Sequence, residues 1–458
     1  MAKNLTSGNV FSILIKFSLP YLLSCFLQTF YGLADLFITG QFYGATAISA
    51  VSIGSQLMHM FTVILAGLAM GATVSIGRCV GERNQNALSR VVGNSIIIFA
   101  LIAAASTVLL IFLASPLLRL IFTPEEAFGE TLIYVLICFA GIPFITAYNV
   151  LSSIFRGLGD TKSPMIFVFV AGVFNIILDY LFIGLARWGT AGAASATVVS
   201  QAASVIFALI SLRRIKNHGA ADKNSSLRLA KEHFRLDSAV CARILKIGVP
   251  IALQDGLIQV SFMVITAIAN SRGLAVAAAV GIVEKIICFL FLVPSAMLSS
   301  VSAIAAQNAG AALHERGKQT LGYAIAICVI FGAAVFAVCQ FASERILRLF
   351  SSSEAEVIRL GAGYLRAYTL DCVFAGVHFC FSGYFCAYGK SLYSFAHNII
   401  SIAVFRIPGA VIASAKFPDT LYPLGLAAPI GSFFSVLICL AFFHHLSKQI
   451  SSLFQPQS

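Results

Sequence analysis

Twelve apolar stretches, many of them 20 residues or longer, occupy most of this chain. A hydrocarbon layer about 30 Å thick needs roughly 20 such residues in a helix. The stretches lie near residues 10–38, 47–76, 90–114, 130–155, 164–184, 190–212, 241–268, 275–304, 320–342, 357–385, 393–414 and 423–446, separated by polar or Pro/Gly-bearing breaks. Lipid offers backbone groups no partner, so each run must satisfy itself as a helix. Barrel strands would be about 10 residues long with strict alternation, and these runs are longer and uniformly apolar. Charged residues make up 10% of the chain, against roughly 25% in a soluble domain. The expectation is an all-α integral membrane protein held in a lipid bilayer.

The first stretch follows Lys3 but continues to Ile38 and contains Pro20, Gln28 and Asp35. No small-residue cleavage site follows a short core, so it reads as a retained helix. The 11 cysteines are scattered, odd in number and without a CxxC, and the 8 histidines have no metal-ligand spacing. Ordinary buried thiols and no cofactor are expected.

Basic residues orient the chain. Odd-numbered loops hold Arg119, Arg187, Arg272, Arg345, Arg348, Arg359 and Lys416, while Lys285, Arg366 and Arg406 fall inside spans. About 20 of the 30 Lys and Arg lie in the terminal segments and even-numbered loops, which predicts a multi-pass protein of the plasma or inner membrane with both termini cytoplasmic. The net charge of +12 is concentrated in the loop from Arg213 to Lys246. No aromatic interleaving or binding fold accompanies it, so no nucleic-acid partner is expected.

The two halves repeat each other. Ala50-Val51-Ser52-Ile53 matches Ala279-Val280-Gly281-Ile282, and Val80-Gly81 matches Ala309-Gly310. A shift one residue longer pairs Pro20 with Pro250, Tyr134 with Tyr364, Ser152 with Ser382, Phe155 with Phe385 and Gly159 with Gly389. A unit of six helices is even, so both copies enter the membrane the same way round. This predicts two six-helix bundles related by a pseudo-two-fold axis along the membrane normal. The expected division is an N-lobe over 1–212, a basic cytoplasmic linker over 213–240 and a C-lobe over 241–458. Such a pair suits alternating access to a central cavity.

Five acids sit inside the stretches: Asp35, Asp179, Asp255, Glu284 and Asp371. Each costs about 2.5–3.5 kcal/mol at a helix centre, so each should face protein or water. They could pair with Lys285, Arg366 or Arg406 to fix packing, but three bases cannot neutralise five acids. Gln28, Tyr31, Gly32, Asp35 and Thr39 form one polar helix stripe, and Asn175 and Asp179 are four apart on one face. Adjacent carboxyl and amide groups can hold a proton, or a hard cation such as Na+ at Asp35, Asn175 and Asp179. In the second half, Gln254, Asp255 and Gln259 share the seventh span, Glu284 lies midway along the eighth, and Asp371, Phe374 and His378 share a face of the tenth. An apolar, aromatic cavity with a few acids suits bulky organic cations. Pro20, Pro143, Pro250, Pro294 and Pro408 should kink their helices.

Several segments resemble the multidrug and toxin extrusion (MATE) family, over nearly the whole chain. They are Phe155-Arg156-Gly157-Leu158-Gly159-Asp160-Thr161-Lys162, Asn175 to Asp179 with the residues that follow, Gly192 to Thr197, Ala306-Gln307-Asn308-Ala309-Gly310, and the first helix with its proline and Asp35. The 306–310 segment has alanine where that family usually has glycine before the glutamine. The resemblance implies a twelve-helix, two-lobed, V-shaped and monomeric exporter of small organic substrates, driven by H+ or Na+ as coupling ion. It places the cation or proton site at Asp35, Asn175, Asp179 and Thr197. It puts Asp255, Glu284 and Asp371 at second acidic positions, with Gln254 and His378 beside them. A lipid-linked precursor flippase would favour fourteen helices and a cationic cavity. An intramembrane enzyme would need a nucleophile–base pair or metal set, and no HExxH or GxSxG is present.

Overall fold

The structure, a computed structural model, describes residues 4–218, 230–350 and 354–453. The middle of the expected basic linker, with Asp222, Lys223 and Arg228, lies outside the described residues. Among the described residues every regular element is helical: α1 Val10–Phe42, α2 Ala45–Gly81, α3 Gln85–Leu120, α4 Glu125–Ala140, α5 Ile142–Gly157, α6 Lys162–Asp179, α7 Gly189–His218, α8 Ser238–Asn270, α9 Leu274–Leu290, α10 Leu292–Gly310, α11 His314–Arg348, α12 Ala355–Tyr368, α13 Asp371–Ala387, α14 Ser391–Ile400, α15 Ile407–Lys416 and α16 Tyr422–Leu453. A short 3-10 turn spans Lys231–Phe234, and single π-helical turns follow α6 (Tyr180–Leu185) and α14 (Ser401–Arg406). Among the described residues, eleven segments are long and apolar enough to cross a bilayer. A twelfth is α4 with α5, bent by 49° at Gly141. All twelve overlap the stretches expected from the sequence.

The prolines behave unequally. Pro20 and Pro250 sit inside unbroken α1 and α8. Pro143 and Pro408 instead occupy the first turn of α5 and α15, where a missing N–H costs nothing. The tenth span breaks between α12 and α13 at Thr369–Leu370, without a proline.

The chain forms two compact units. Unit 1 comprises residues 1–7, 15–252 and 310–312; unit 2 comprises 8–14, 253–309 and 313–458. In unit 1 the most enclosed long helix is α2, and its partner across the core is α5. In unit 2 the enclosed element is α12–α13, packed on α9, α11 and α16. Outer helices such as α3 and α11 expose Phe112 and Phe341, which is the surface a lipid-facing helix needs.

The internal repeat is written in the turns. Gly159 and Gly389 both adopt left-handed φ, +86° and +71°. After α5, Gly159 N–H donates to Arg156 O (2.9 Å) and Asp160 N–H to Phe155 O (2.9 Å). After α13, Gly389 N–H donates to Cys386 O (2.9 Å) and Lys390 N–H to Phe385 O (2.8 Å). Both are the Schellman closure, in which the left-handed residue lets two N–H groups reach back to orphan carbonyls. The matched Phe155/Phe385 and Gly159/Gly389 pairs are thus acceptor and pivot of one turn. Arg83 and Ala312 repeat this at the ends of α2 and α10, with φ of 55° and 57°.

Candidate functional site

In unit 1, α1, α6 and α7 bring Asp35, Asn175, Asp179 and Thr197 together. Asp35 is 4% exposed, Asn175 1% and Asp179 0%. Thr197 Oγ1 can donate to Asp35 Oδ2 at 3.3 Å, or to Ala193 O at 3.1 Å. Asn175 and Asp179 approach the same Asp35 carboxyl. Even so, Asp35 Oδ1, both Asp179 oxygens and both Asn175 amide atoms complete no hydrogen bond. Buried polar groups are rarely left this way. Among the described residues, the other titratable side chains interacting with the pair are Tyr31, Tyr134 and Cys138, with no Lys or Arg. Two carboxyl groups brought close together away from water can share a proton or chelate a cation. Among the described residues no three His, Cys, Asp or Glu converge, so a cation here would use Asn175 and Thr197 oxygens beside the two carboxyls, a hard-ligand set that fits Na+.

The rest of the α1 polar stripe forms a seam from this pair. Tyr31 Oη accepts from Gln201 Nε2 at 3.2 Å, and Gln28 Nε2 donates to Tyr148 Oη at 3.5 Å. The π turn starts directly after Asp179; such turns widen a helix by one residue and often mark functional positions.

In unit 2 the five singled-out residues do not form one cluster. Gln254 is buried on α8 and accepts from Ser394 Oγ at 2.7 Å. Asp255, half-buried beside Cys386, has no charged partner. Both carboxyl oxygens of Glu284 receive Thr266 Oγ1, at 3.2 and 3.0 Å. Asp371 and His378 line one small cavity of about 40 Å³, together with Phe262, Phe291, Phe379 and Arg406. Phe374, expected on that face, packs instead on Phe433.

Arg406, at the end of the second π turn, was counted in the sequence only as a partner for acids. The structure makes it the centre of this region. Its Nη2 donates to Tyr368 Oη at 2.8 Å, and its guanidinium lies 4.5 Å from the centroid of Phe262. Its field reaches both Glu284 and Asp371. Ser432 approaches Asp371, and Ser401 and Asn398 complete the wall. Arg366 does not serve the buried acids: its Nε donates to Ser343 Oγ at 2.7 Å and it pairs with Glu344 at 3.4 Å. The one signal for Arg406 was an arginine inside an apolar run, next to Pro408.

The segment 155–162 is structural at its loop. Buried Arg156 donates to Ser153 Oγ at 2.8 Å and stands over Tyr21. Asp160 accepts from Lys162 N–H (3.0 Å) and Ser163 Oγ (2.6 Å), capping α6.

Among the described residues, up to a dozen membrane-length helices in two compact units, with buried acids, define a multi-pass membrane protein of the kind that carries solutes across a bilayer. The MatE family model matches residues 20–181 and 250–412, one match in each half. The chain is 30% identical over 444 residues to the probable multidrug resistance protein YpnP of Bacillus subtilis, covering 97% of this chain and 96% of that one. It is 24% identical over 449 residues to the FAD transporter of Shewanella oneidensis, covering 97% and 96%. The fold matches the solved structure of a MOP superfamily transporter from Pyrococcus furiosus with a TM-score of 0.88 at 22% identity, over 98% of both chains. The protein belongs to the MATE family, whose members move small organic compounds across membranes.

Proposed function

We propose that the protein is a cation-coupled antiporter that exports organic, chiefly cationic amphipathic, compounds by alternating access, with Asp35, Asn175, Asp179 and Thr197 as the coupling site. The observation that carries this reading is the Asp35–Asp179 contact: two buried carboxyl groups side by side with no base near them. A bound proton or Na+ relieves that arrangement, and its release recreates it, so occupancy can be traded against the side to which the protein opens. The multidrug relative from B. subtilis supports the cargo class. The basic even-numbered loops support cytoplasmic termini in the plasma membrane. Residues 1–212 and 241–458 are the two lobes of a monomer, joined by the 213–240 linker. A flippase for pyrophosphate-linked lipids would want an unopposed cationic cavity, whereas the Arg406 guanidinium faces two acids.

Reconstituted into proteoliposomes with H+ and Na+ gradients imposed separately, the wild type should extrude a fluorescent organic cation under one of them. Asp35→Asn and Asp179→Asn should each abolish the gradient-driven part. Retention of coupled efflux by both variants would remove the site from the mechanism.

A further inference from the structure

Just before α8 the chain makes a short hook, Lys231 to Asp237, seated on α3 within unit 1. The carbonyl of His233 enters a notch left by Gly93, where a Cβ would collide with that oxygen. Asn94, one residue on, accepts from Asp237 N–H at 2.7 Å, and Cys241 Sγ lies 3.5 Å from the same oxygen. The His233 ring is buried, its Nδ1 accepting from Ala230 N–H at 3.0 Å. Asp237 Oδ1 accepts from Ala239 N–H and Val240 N–H, at 3.0 and 3.3 Å, and so caps α8. The hook is thus fixed in the middle and at its end.

Its outer side combines apolar and basic groups. Phe234 is 42% exposed and Leu236 61%, and Lys231 and Arg235 beside them are exposed as well. Arg90, also exposed, stands one turn before Asn94, whose Nδ2 donates to the Arg90 carbonyl at 3.0 Å. Among the described residues none of these three bases forms an ion pair. Of the two acids in the hook, Asp237 is occupied by the cap and Glu232 stands 3.9 Å from His233 Nε2. The flanking helices set the depth. Arg90 is the last charged residue of α3 before the apolar run from Ile96, and Lys246 the last basic residue of α8 before the run from Ile247. Gly93 and Asn94 therefore hold the hook where polar sequence gives way to lipid-facing sequence. Rigid apolar side chains among bases at that level suit a lipid headgroup region: phosphate answers the bases, and acyl chains cover Phe234 and Leu236. A soluble acidic partner would meet the bases and leave both apolar side chains unexplained. We propose that the hook is a binding site for an anionic phospholipid headgroup, held by Lys231, Arg235 and Arg90, with Phe234 and Leu236 set among the acyl chains. The site stands apart from the Asp35–Asp179 pair and needs no gradient to act.

The test is hydrogen exchange of the full-length protein in nanodiscs of phosphatidylcholine alone, or of phosphatidylcholine mixed equally with phosphatidylglycerol, read by mass spectrometry over residues 231–237. In the mixed discs exchange should slow by about fivefold for each basic residue engaged. Lys231→Gln combined with Arg235→Gln should remove the difference while leaving exchange in phosphatidylcholine unchanged. Gly93→Ala keeps every base but unseats the hook, and should remove it too. Equal exchange of the wild type in both discs overturns the proposal whether or not any variant folds. A lipid difference that survives in the double variant or in Gly93→Ala overturns it as well. Glycerol phosphate added to the phosphatidylcholine discs should give no protection; protection there would assign the site to a soluble phosphate and sink the lipid reading.

Discussion

The two units solve the same electrostatic problem in opposite ways. In unit 1, Asp35 and Asp179 meet with no base beside them. In unit 2, Glu284 and Asp371 share the field of a resident guanidinium, Arg406. The repeat tyrosines mark the equivalence: Tyr134 stands near the first pair and Tyr364 near the second. On the proposed reading, a carboxyl pair lacking a tethered counter-charge borrows a mobile one, which is what coupling needs. Two separate acids within the field of one tethered arginine have no need of a borrowed charge.

The largest expected effect follows from that contrast. Asp35→Asn or Asp179→Asn should reduce gradient-driven efflux to the leak of empty vesicles, while Glu284→Gln should keep the response to the gradient and alter only apparent substrate affinity. Measuring all three in the same vesicles would break the comparison if Glu284→Gln proved as uncoupled as the others. Next in size is Arg406→Leu. Removing the resident cation leaves buried Asp371 without its nearby base and Tyr368 Oη without its donor, and should cost about 1–3 kcal/mol. A second change, Asp371→Asn, should restore part of this in a thermal unfolding assay. No recovery in the double variant would mean that Arg406 stabilises through Tyr368 and Phe262 alone.

Much of unit 1 was legible because its information is local. Asn175 and Asp179 are four residues apart, and the α1 stripe runs at helical spacing, so one helix face predicts both. Unit 2 was less legible because its site depends on how far each helix is rotated about its own axis. The sequence grouped Asp255 with Asp371, but α8 turns Asp255 toward Cys386 and Gln254 toward Ser394. Arg406 reaches its acids only after a π turn, which shifts the face by about one residue and has no sequence signature here. Charge counting also has exceptions with physical causes. Arg272, in an odd-numbered loop, is held by the carbonyl oxygens of Phe417 and Thr420, at 3.0 and 3.3 Å.

Packing offers a smaller test of the same parallel. In unit 2, a Cβ on Gly383 would stand 2.4 Å from the carbonyl oxygen of Leu298, where α13 crosses α10. Gly383→Ala should therefore cost about 1–3 kcal/mol, read as a fall in melting temperature. In unit 1, the residue near the corresponding crossing is Ser153, whose carbonyl accepts from Thr73 Oγ1 at 3.2 Å. Ser153→Ala keeps that backbone bond but removes the acceptor of buried Arg156 Nη2 (2.8 Å), so it should cost a comparable ~1–3 kcal/mol by a different route, a lost hydrogen bond rather than a moved backbone.

The smallest effects belong to the turns and bear most directly on equivalence. Gly159→Ala and Gly389→Ala each force a Cβ into left-handed backbone, at about 1 kcal/mol. Because the two turns share their hydrogen-bond pattern, the two losses should agree. The converse change is available where the repeat has no glycine. Ala312, exposed and at φ 57°, carries that strain natively, so Ala312→Gly should gain up to about 1 kcal/mol, less the added freedom of the unfolded chain. Arg83→Gly should gain a similar amount. If only one member of either pair responds, the two turns share geometry but not energetics, and the parallel between the units would then hold for the backbone path alone.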